Sequence, residues 1–194
     1  MTRHQTYGTA AKERTLWFQI ISAVLLTCAV VSGCKSNDSE PPKPRISDRI
    51  PTSFDPCSDI PPDVITSQQL MPDPKRQAER DDGDGVKSSG CEYRRSFELT
   101  QTRGTGISVD VTNMTVDYFS DVYSKSNSVD GTPVRRLTIN NRPAAIQGPR
   151  SDNTCMIITD IKDGGVRFDN AAHTVDPCQV LIEFVQAVST HLPA

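Results

Sequence analysis

Residues 155–188, CMIITDIKDGGVRFDNAAHTVDPCQVLIEFVQAV, contain the two patterns that decide the fold. Two runs rich in β-branched and aromatic residues flank the sequence Asp-Gly-Gly at 163–165, which is typical of a tight hairpin turn. Asp176 then suits the N-cap of a helix, and Pro177 suits its first position. Apolar residues recur at helical spacing after it, and Pro193 ends the pattern. The segment predicts a β-hairpin followed by a C-terminal amphipathic helix.

The chain before this segment shows further strand and helix patterns. The expected elements are a first helix from Pro61-Pro62, an exposed loop at 72–90, strands at 91–97 and 107–111, a slip in strand phase near Met114, a short helix at 117–125, and a hairpin at 134–139 and 143–147 around Asn140-Asn141. This order predicts an α+β fold. We expect an antiparallel sheet of about five to six strands, with the N- and C-terminal helices packed on one face.

The N-terminus carries the features of an export signal. Three basic residues precede residues 16–31, LWFQIISAVLLTCAVV, of which only three are polar. This run is short for a hydrocarbon core of about 30 Å. It ends in Val31-Ser32-Gly33-Cys34, which resembles the lipobox of bacterial lipoproteins, where the cysteine thiol receives a diacylglycerol and a peptidase cuts before it. An ordinary secretory signal or an uncleaved anchor is the alternative interpretation.

These features divide the chain into three parts. We expect a signal peptide at 1–33, a lipidated cysteine and tether at 34–54, and one folded domain at 55–194. The tether is rich in proline, serine and charge, so it buries too little apolar surface to offset the entropy of ordering. Because two or more acyl chains hold a protein firmly on a bilayer, we expect an exported protein on the outer face of the membrane.

Four cysteines fall within the expected domain: Cys57, Cys91, Cys155 and Cys178. None belongs to a C-x-x-C pair and no histidine stands at zinc-finger spacing, so no metal site is expected. An even set in an exported domain predicts two disulfides. The predicted hairpin brings Cys178 beside Cys155, which favours the pairs 57–91 and 155–178. The alternative is 57–178 with 91–155.

Several of these motifs together resemble a known family. They are the lipobox, the Pro/Ser-rich tether, the tripeptide Asp-Pro-Cys at 55–57 and 176–178, and Gly90-Cys91-Glu92-Tyr93. They are similar to the motifs of exported actinobacterial lipoproteins of the domain-of-unknown-function family 3558, many of which have Trp where Tyr93 stands. The resemblance implies an outer-face lipoprotein with a disulfide-linked α+β domain. It implies no catalytic residue.

The sequence contains few residue patterns that are typical of catalytic or metal-binding sites. His173 lies near Asp169 and Asp176, but no serine stands in a nucleophile-elbow motif, so no catalytic triad is expected. The acidic stretch at 81–85 lacks the later ligands of an EF-hand loop, and we expect a solvated loop there.

Two other charged groups need comment. Asp110 and Asp117 flank the suspected slip in strand phase, so no catalytic carboxylate pair is expected of them. Arginine pairs stand at 94–95 and 135–136. Neighbouring residues of a strand point to opposite faces, so we expect one arginine of each pair to face solvent, where it could meet an anionic wall polymer.

The formal net charge of −3 argues against a nucleic-acid partner, which would require a basic surface. We expect a cell-envelope lipoprotein with a binding or structural role, no enzymatic activity and no cofactor. Its expected partners are the membrane, through the lipid, and an envelope protein, wall polymer or lipid. Two alternatives stay open: an envelope hydrolase whose site is assembled from distant residues, and a carrier of an apolar ligand, which needs a cavity of about 300–1,000 Å³.

Overall fold

A computed structural model describes residues 45–125, 131–172 and 175–194. Outside the described residues lie the predicted signal peptide, the lipobox residues Val31, Ser32 and Gly33, the predicted lipidation site Cys34, the first part of the predicted tether, and His173. Within the described part of the chain, no helix is long and apolar enough to cross a lipid bilayer.

The described chain folds into one antiparallel sheet with helices. In chain order the elements are α1 (Pro62–Ser67), β1 (Lys75–Gly83), β2 (Val86–Arg94), α2 (Phe97–Arg103), β3 (Gly106–Thr112), α3 (Val116–Lys125), β4 (Val134–Ile139), β5 (Arg142–Gln147), β6 (Thr154–Ile161), β7 (Gly164–Ala171) and α4 (Pro177–Val188). The strands lie in the order β1-β2-β3-β7-β6-β5-β4. The α+β class and the antiparallel sheet are confirmed, but the described sheet has seven strands instead of the five to six expected.

The additional strand comes from the predicted loop at 72–90, which forms β1 and the first half of β2. β1 is an edge strand of mostly polar residues with no buried face, so it lacks the apolar alternation of a recognisable strand. Its register comes from pairing with β2 and is interrupted by two irregularities. The two strands turn through Asp84 and Gly85, both of which have positive φ.

The structure corrects two smaller expectations near β2 and β3. Phe97 begins α2 instead of ending a strand, and its side chain is 80% exposed. The expected phase slip near Met114 is the end of β3, which pairs without interruption with both neighbours. Alternation fails there because the chain leaves the sheet and enters α3.

On one face of the sheet, which we call the first face, α1 and α4 lie over the main core. Cys155 and Ile157 of β6 point to this face, where Leu181 and Phe184 of α4 cover them. Phe168 contacts Phe184 edge to face, with ring centroids 6.0 Å apart. The expectation that the N- and C-terminal helices pack on the sheet is confirmed.

Both disulfides lie on the first face. They join Cys57 to Cys91 and Cys155 to Cys178, the pairs that the hairpin geometry favoured. The repeated tripeptide has the same local structure at both sites. The carboxylates of Asp55 and Asp176 each accept a hydrogen bond from the backbone N–H of the cysteine two residues on, at 3.0 and 2.8 Å. At the second site this bond caps α4, as predicted.

The opposite face, which we call the second face, is covered in part by α3. Phe119 of α3 packs on Ala145, Met156 and Ile158, the residues that alternate with the first-face residues along β5 and β6. Helices therefore lie on both faces, and the expectation of helices on one face is wrong. The helix at 117–125 was predicted, but its amphipathic pattern does not indicate which face of the sheet the helix covers.

Residues 45–54, which the sequence assigns to the tether, lie against the domain. Phe54 is buried in the main core, and Ile46 packs against the cluster beneath α3. The side-chain amide of Asn113 donates hydrogen bonds to the carbonyl oxygens of Ser47 and Gly85, at 2.5 and 2.9 Å. We call residues 45–54 the strap. It crosses the end of the sheet that holds the β1–β2 turn.

Candidate functional site

The part of the second face that α3 leaves open contains a buried cluster of ion pairs. Asp110 of β3 is at its centre, and its side chain is 1% exposed. One oxygen, Oδ2, accepts hydrogen bonds from Arg167 of β7 at 2.9 Å and from Arg80 of β1 at 2.8 Å. Between Arg80 and Asp110 lies β2, whose residue opposite Asp110 is Gly90. A side chain there would collide with Asp110, because an added Cβ would lie 2.6 Å from Oδ1. The glycine therefore leaves room for Arg80 to reach across β2.

Arg167 joins three carboxylates in this cluster. Its guanidinium nitrogens lie 2.8 Å from Asp82, 2.9 Å from Asp110 and 3.1 Å from Asp169. Burial alone lowers the pKa of a guanidinium, but the three carboxylates raise the pKa of Arg167 above its ordinary value, so it stays charged. Burial likewise opposes the charge on Asp82, but a hydrogen bond from Ser88 and the charge of Arg167 lower the pKa of Asp82.

Next to this cluster the sheet forms a polar groove of about 200 Å³. It is lined by Glu92, Thr105, Gly106, Ser108, Arg150, Thr154, Asp169, Asn170 and Ala171. Glu92, Ser108 and Asp169 are direct neighbours on three adjacent strands, so they form one row across the second face. Neighbouring strands lie about 4.8 Å apart, which puts the Cα atoms of Glu92 and Asp169 about 10 Å apart with the small Ser108 between them.

Asp169 connects the groove to the buried cluster. Its side chain is 32% exposed, and its Oδ2 accepts a hydrogen bond from Nε of Arg167 at 3.1 Å. Burial among protein groups, with Asp110 nearby, raises the pKa of Asp169 from its ordinary 3.8 to about 6, although Arg167 and Arg150 oppose this shift. A carboxyl group with such a pKa can exchange a proton near neutral pH.

Arg150 forms the wall of the groove on the β6 side. Its Nε donates a hydrogen bond to Oγ1 of Thr154 at 2.9 Å, which fixes the direction of the guanidinium group. Glu92 stands on the β2 side, 3.5 Å from Nε of Arg94. The groove therefore offers an acidic wall, an acidic and hydroxyl-bearing floor, and a basic wall.

A second groove, of about 350 Å³, lies beside the strap. It is lined by strap residues 48–52 and by Glu79, Lys87 and Ser89. Both grooves are lined mainly by polar side chains, so neither resembles the apolar cavity that a carrier of an apolar ligand requires.

The structure separates some residues that the sequence placed together. Asp110 is in the buried cluster, whereas the exposed Asp117 pairs with Arg136 at 2.7 Å, so the two do not form a carboxylate pair. Asp176 caps α4, and Asp169 lies in the groove. Among the described residues, no three His, Cys, Asp or Glu side chains are arranged to hold a metal ion.

The charged motifs also divide between surface and interior. Asp82, from the stretch expected to be a solvated loop, lies in β1 at the edge of the ion-pair cluster, with its side chain 24% exposed. In the first arginine pair, Arg94 is half exposed and Arg95 is buried, as alternation predicts; burial lowers the pKa of Arg95 to about 10. Both arginines at 135–136 are exposed, because β4 is the outermost strand on its side of the sheet.

Sequence reasoning did not find the cluster of Arg80, Asp110 and Arg167 as a site. One signal was available: Asp110 and Arg167 each interrupt a run of apolar residues in a strand that is otherwise fit for burial. A charge in such a run predicts a buried partner of opposite charge, but the partner strand depends on the order of strands in the sheet.

The fold and the site together describe a disulfide-linked α+β domain with a polar groove beside an ion-pair cluster. The chain belongs to the family described as "Protein of unknown function (DUF3558)", whose model matches residues 29–191. The membership of the domain-of-unknown-function family 3558 that the sequence motifs indicated is thus confirmed. No curated protein and no solved structure matches the chain.

Proposed function

We propose that this protein is an exported lipoprotein, anchored to the outer face of the cell membrane through Cys34, whose domain binds a polar envelope ligand in the groove without chemistry of its own. One observation supports the binding role above all others. The groove is lined by charged and hydroxyl-bearing side chains, of which Asp169 is held by the ion-pair cluster, Arg150 by Thr154 and Glu92 by Arg94. A rigid polar site of this kind recognises a polar ligand.

The strap and the groove lie at opposite ends of the sheet. The strap crosses the end of the sheet formed by the β1–β2 turn, the end of β3 and the β6–β7 turn, where Pro51 lies against Gly164. The groove is at the opposite ends of these strands, around Gly106 and Ala171.

The anchor is tested by Cys34→Ala in the full chain. The thioether to diacylglycerol needs the sulfur atom, so we expect this variant to lose acylation and to leave the detergent phase. Cys28→Ala is the matched control, because Cys28 stands six positions earlier within the apolar run, and it is expected to keep the lipid. Mass spectrometry of the purified protein measures the added mass. Equal phase partition of both variants would refute lipidation at Cys34.

A hydrolase is the second candidate, and the row of Glu92 and Asp169 favours it. Two carboxyl groups across a groove, one with a pKa of about 6, are the parts that acid–base cleavage of a glycosidic bond requires. The binding role is the leading proposal because both groups are ion-paired, Asp169 to Arg167 and Glu92 to Arg94.

Turnover distinguishes these two proposals. We expect the native protein to bind soluble wall fragments in a saturable manner and to release no product from them over hours, as measured by chromatography. Product release that Asp169→Asn abolishes would establish the hydrolase instead.

A further inference from the structure

We propose that the groove binds an amino-acid end group, that is, an ammonium and a carboxylate carried on the same or neighbouring carbon atoms. This inference rests on the proposed binding function and names its ligand class. It starts from the arrangement of charge: Glu92 and Asp169 stand on either side of Ser108, and Arg150 forms the wall beyond Asp169.

The row across three strands forms a seat for an ammonium group. Ser108 is small, so the space above it lies between the two carboxylates and is open to solvent. An ammonium group has three donors and no acceptor. Glu92, Asp169 and the hydroxyl of Ser108 offer three acceptors around this space.

Arg150 supplies the matching site for a carboxylate. Its Nε donates to Thr154 and lies 4.0 Å from Asp152, and its side chain lines the groove. A guanidinium fork of this kind binds a carboxylate through two hydrogen bonds. An ammonium above Ser108 and a carboxylate at Arg150 are the two ends of one small zwitterion. The groove volume of about 200 Å³ suits an end group instead of a whole polymer.

The rest of the lining disfavours other ligand classes. Among the residues that line the groove, none is aromatic, and Ala171 is the one with an apolar side chain. The groove therefore offers no aromatic ring on which a sugar could stack and no apolar side chain larger than alanine for an acyl chain. Acids on one side and an arginine on the other also disfavour a polyanion or a polycation.

The test is to titrate small-molecule probes into the full lipidated chain in detergent micelles and to monitor binding by heteronuclear NMR. The probes are D-alanine and 2,6-diaminopimelic acid, which carry both groups, and the controls are methylammonium, acetate and N-acetylglucosamine. We expect saturable shifts at Glu92, Ser108 and Asp169. Each single-charge control should bind at least about tenfold more weakly, because it lacks one charge-assisted hydrogen-bonded group.

Variants assign the two halves of the seat. Glu92→Gln should weaken binding of D-alanine about tenfold and leave acetate unchanged, whereas Arg150→Gln should weaken D-alanine and leave methylammonium unchanged. Arg135→Gln, an exposed arginine on the distant strand β4, is the matched control and should change nothing. The amide spectrum of each variant verifies that it folds.

Three sets of results would overturn the inference. Binding of N-acetylglucosamine as tight as that of D-alanine, or equal binding of D-alanine and methylammonium, refutes the amino-acid class but leaves a polar binding groove. If neither the probes nor soluble wall fragments bind, both this inference and the proposed function are refuted. Loss of binding in Arg135→Gln to the same extent as in Arg150→Gln also refutes the inference.

Discussion

On the first face of the sheet, α1 and α4 bury an apolar core, and two disulfides join Cys57, in the turn before α1, and Cys178, in α4, to strands. On the second face, α3 covers the half formed by β4, β5 and β6, and the other half contains the ion-pair cluster and the groove. The two faces are built from the same strands, in which residues alternate between them. Asp110 lies between Val109 and Val111, and Arg167 between Val166 and Phe168.

This difference shows how the domain divides stability and binding between two surfaces. Apolar burial and disulfides stabilise the fold without any need for paired charges, and both are concentrated on the first face. Charged groups destabilise a fold unless they are paired, and the second face contains three carboxylates around two arginines. Four predictions test whether the two faces act in this way, ordered from the largest expected effect to the smallest.

Removal of both disulfides should have the largest effect on the free energy of unfolding. In the loop-entropy model each bridge contributes about 3–4 kcal/mol. The sequence separations of 34 and 23 residues make Cys57–Cys91 slightly more stabilising than Cys155–Cys178. Urea unfolding of the two Cys→Ser pair variants and of the combined variant measures these effects. A combined loss below about 1 kcal/mol would show that the first face does not depend on its cross-links.

Arg167→Met should destabilise the fold by about 3–5 kcal/mol, because it leaves the buried Asp110 and the partly exposed Asp82 with less opposite charge. Arg135→Met is the control and should lie within about 0.5 kcal/mol of the native protein, since Arg135 is exposed. Urea unfolding at pH 7 measures both. If Arg167→Met were as mild as its control, the cluster would not support the second face.

Asp169→Asn should stabilise the protein at pH 7 while it weakens ligand binding. The folded-state pKa of about 6 lies above the ordinary 3.8, so the fold favours the protonated form. Its contribution to stability is complete below about pH 4 and is lost as the pH rises through 6. The full shift corresponds to about 3 kcal/mol, and we expect about 1–2 kcal/mol because the side chain is partly solvated.

The measurement for Asp169→Asn is urea unfolding between pH 4 and pH 8. The native protein should lose stability across this range relative to the variant, so that the two curves separate as the pH rises. A variant less stable than the native protein at pH 7 would show that the ion pair with Arg167 outweighs the desolvation of Asp169.

Arg136→Gln should have the smallest effect. Arg136 pairs with Asp117 at 2.7 Å on the surface, where the two side chains are 58% and 73% exposed. Exposed pairs contribute about 0–1 kcal/mol and are weakened by salt. Thermal unfolding at low and high ionic strength measures this. A loss as large as that of Arg167→Met would contradict the distinction between exposed and buried pairs.

The cysteines and β1 show how far sequence reasoning extends. The pairing of Cys155 with Cys178 could be predicted because the hairpin between them brings their positions together. β1 could not, since residues 75–83 have no apolar alternation and become a strand only through hydrogen bonds to β2. Phe97 was assigned to a strand because its aromatic side chain continued the pattern of β2, although it begins α2 and is exposed.

The sequence by itself determined the features that depend on local pattern: the β4–β5 and β6–β7 hairpins, the cap of α4 at Asp176 and the even set of cysteines. These features use interactions between residues close in the chain, so spacing alone specifies them. The tertiary structure decided that Arg80, Asp110, Arg167 and Asp169 meet and that a groove opens beside them. Three strands from distant parts of the chain supply those residues, and the long-range register between strands decides which side chains become neighbours.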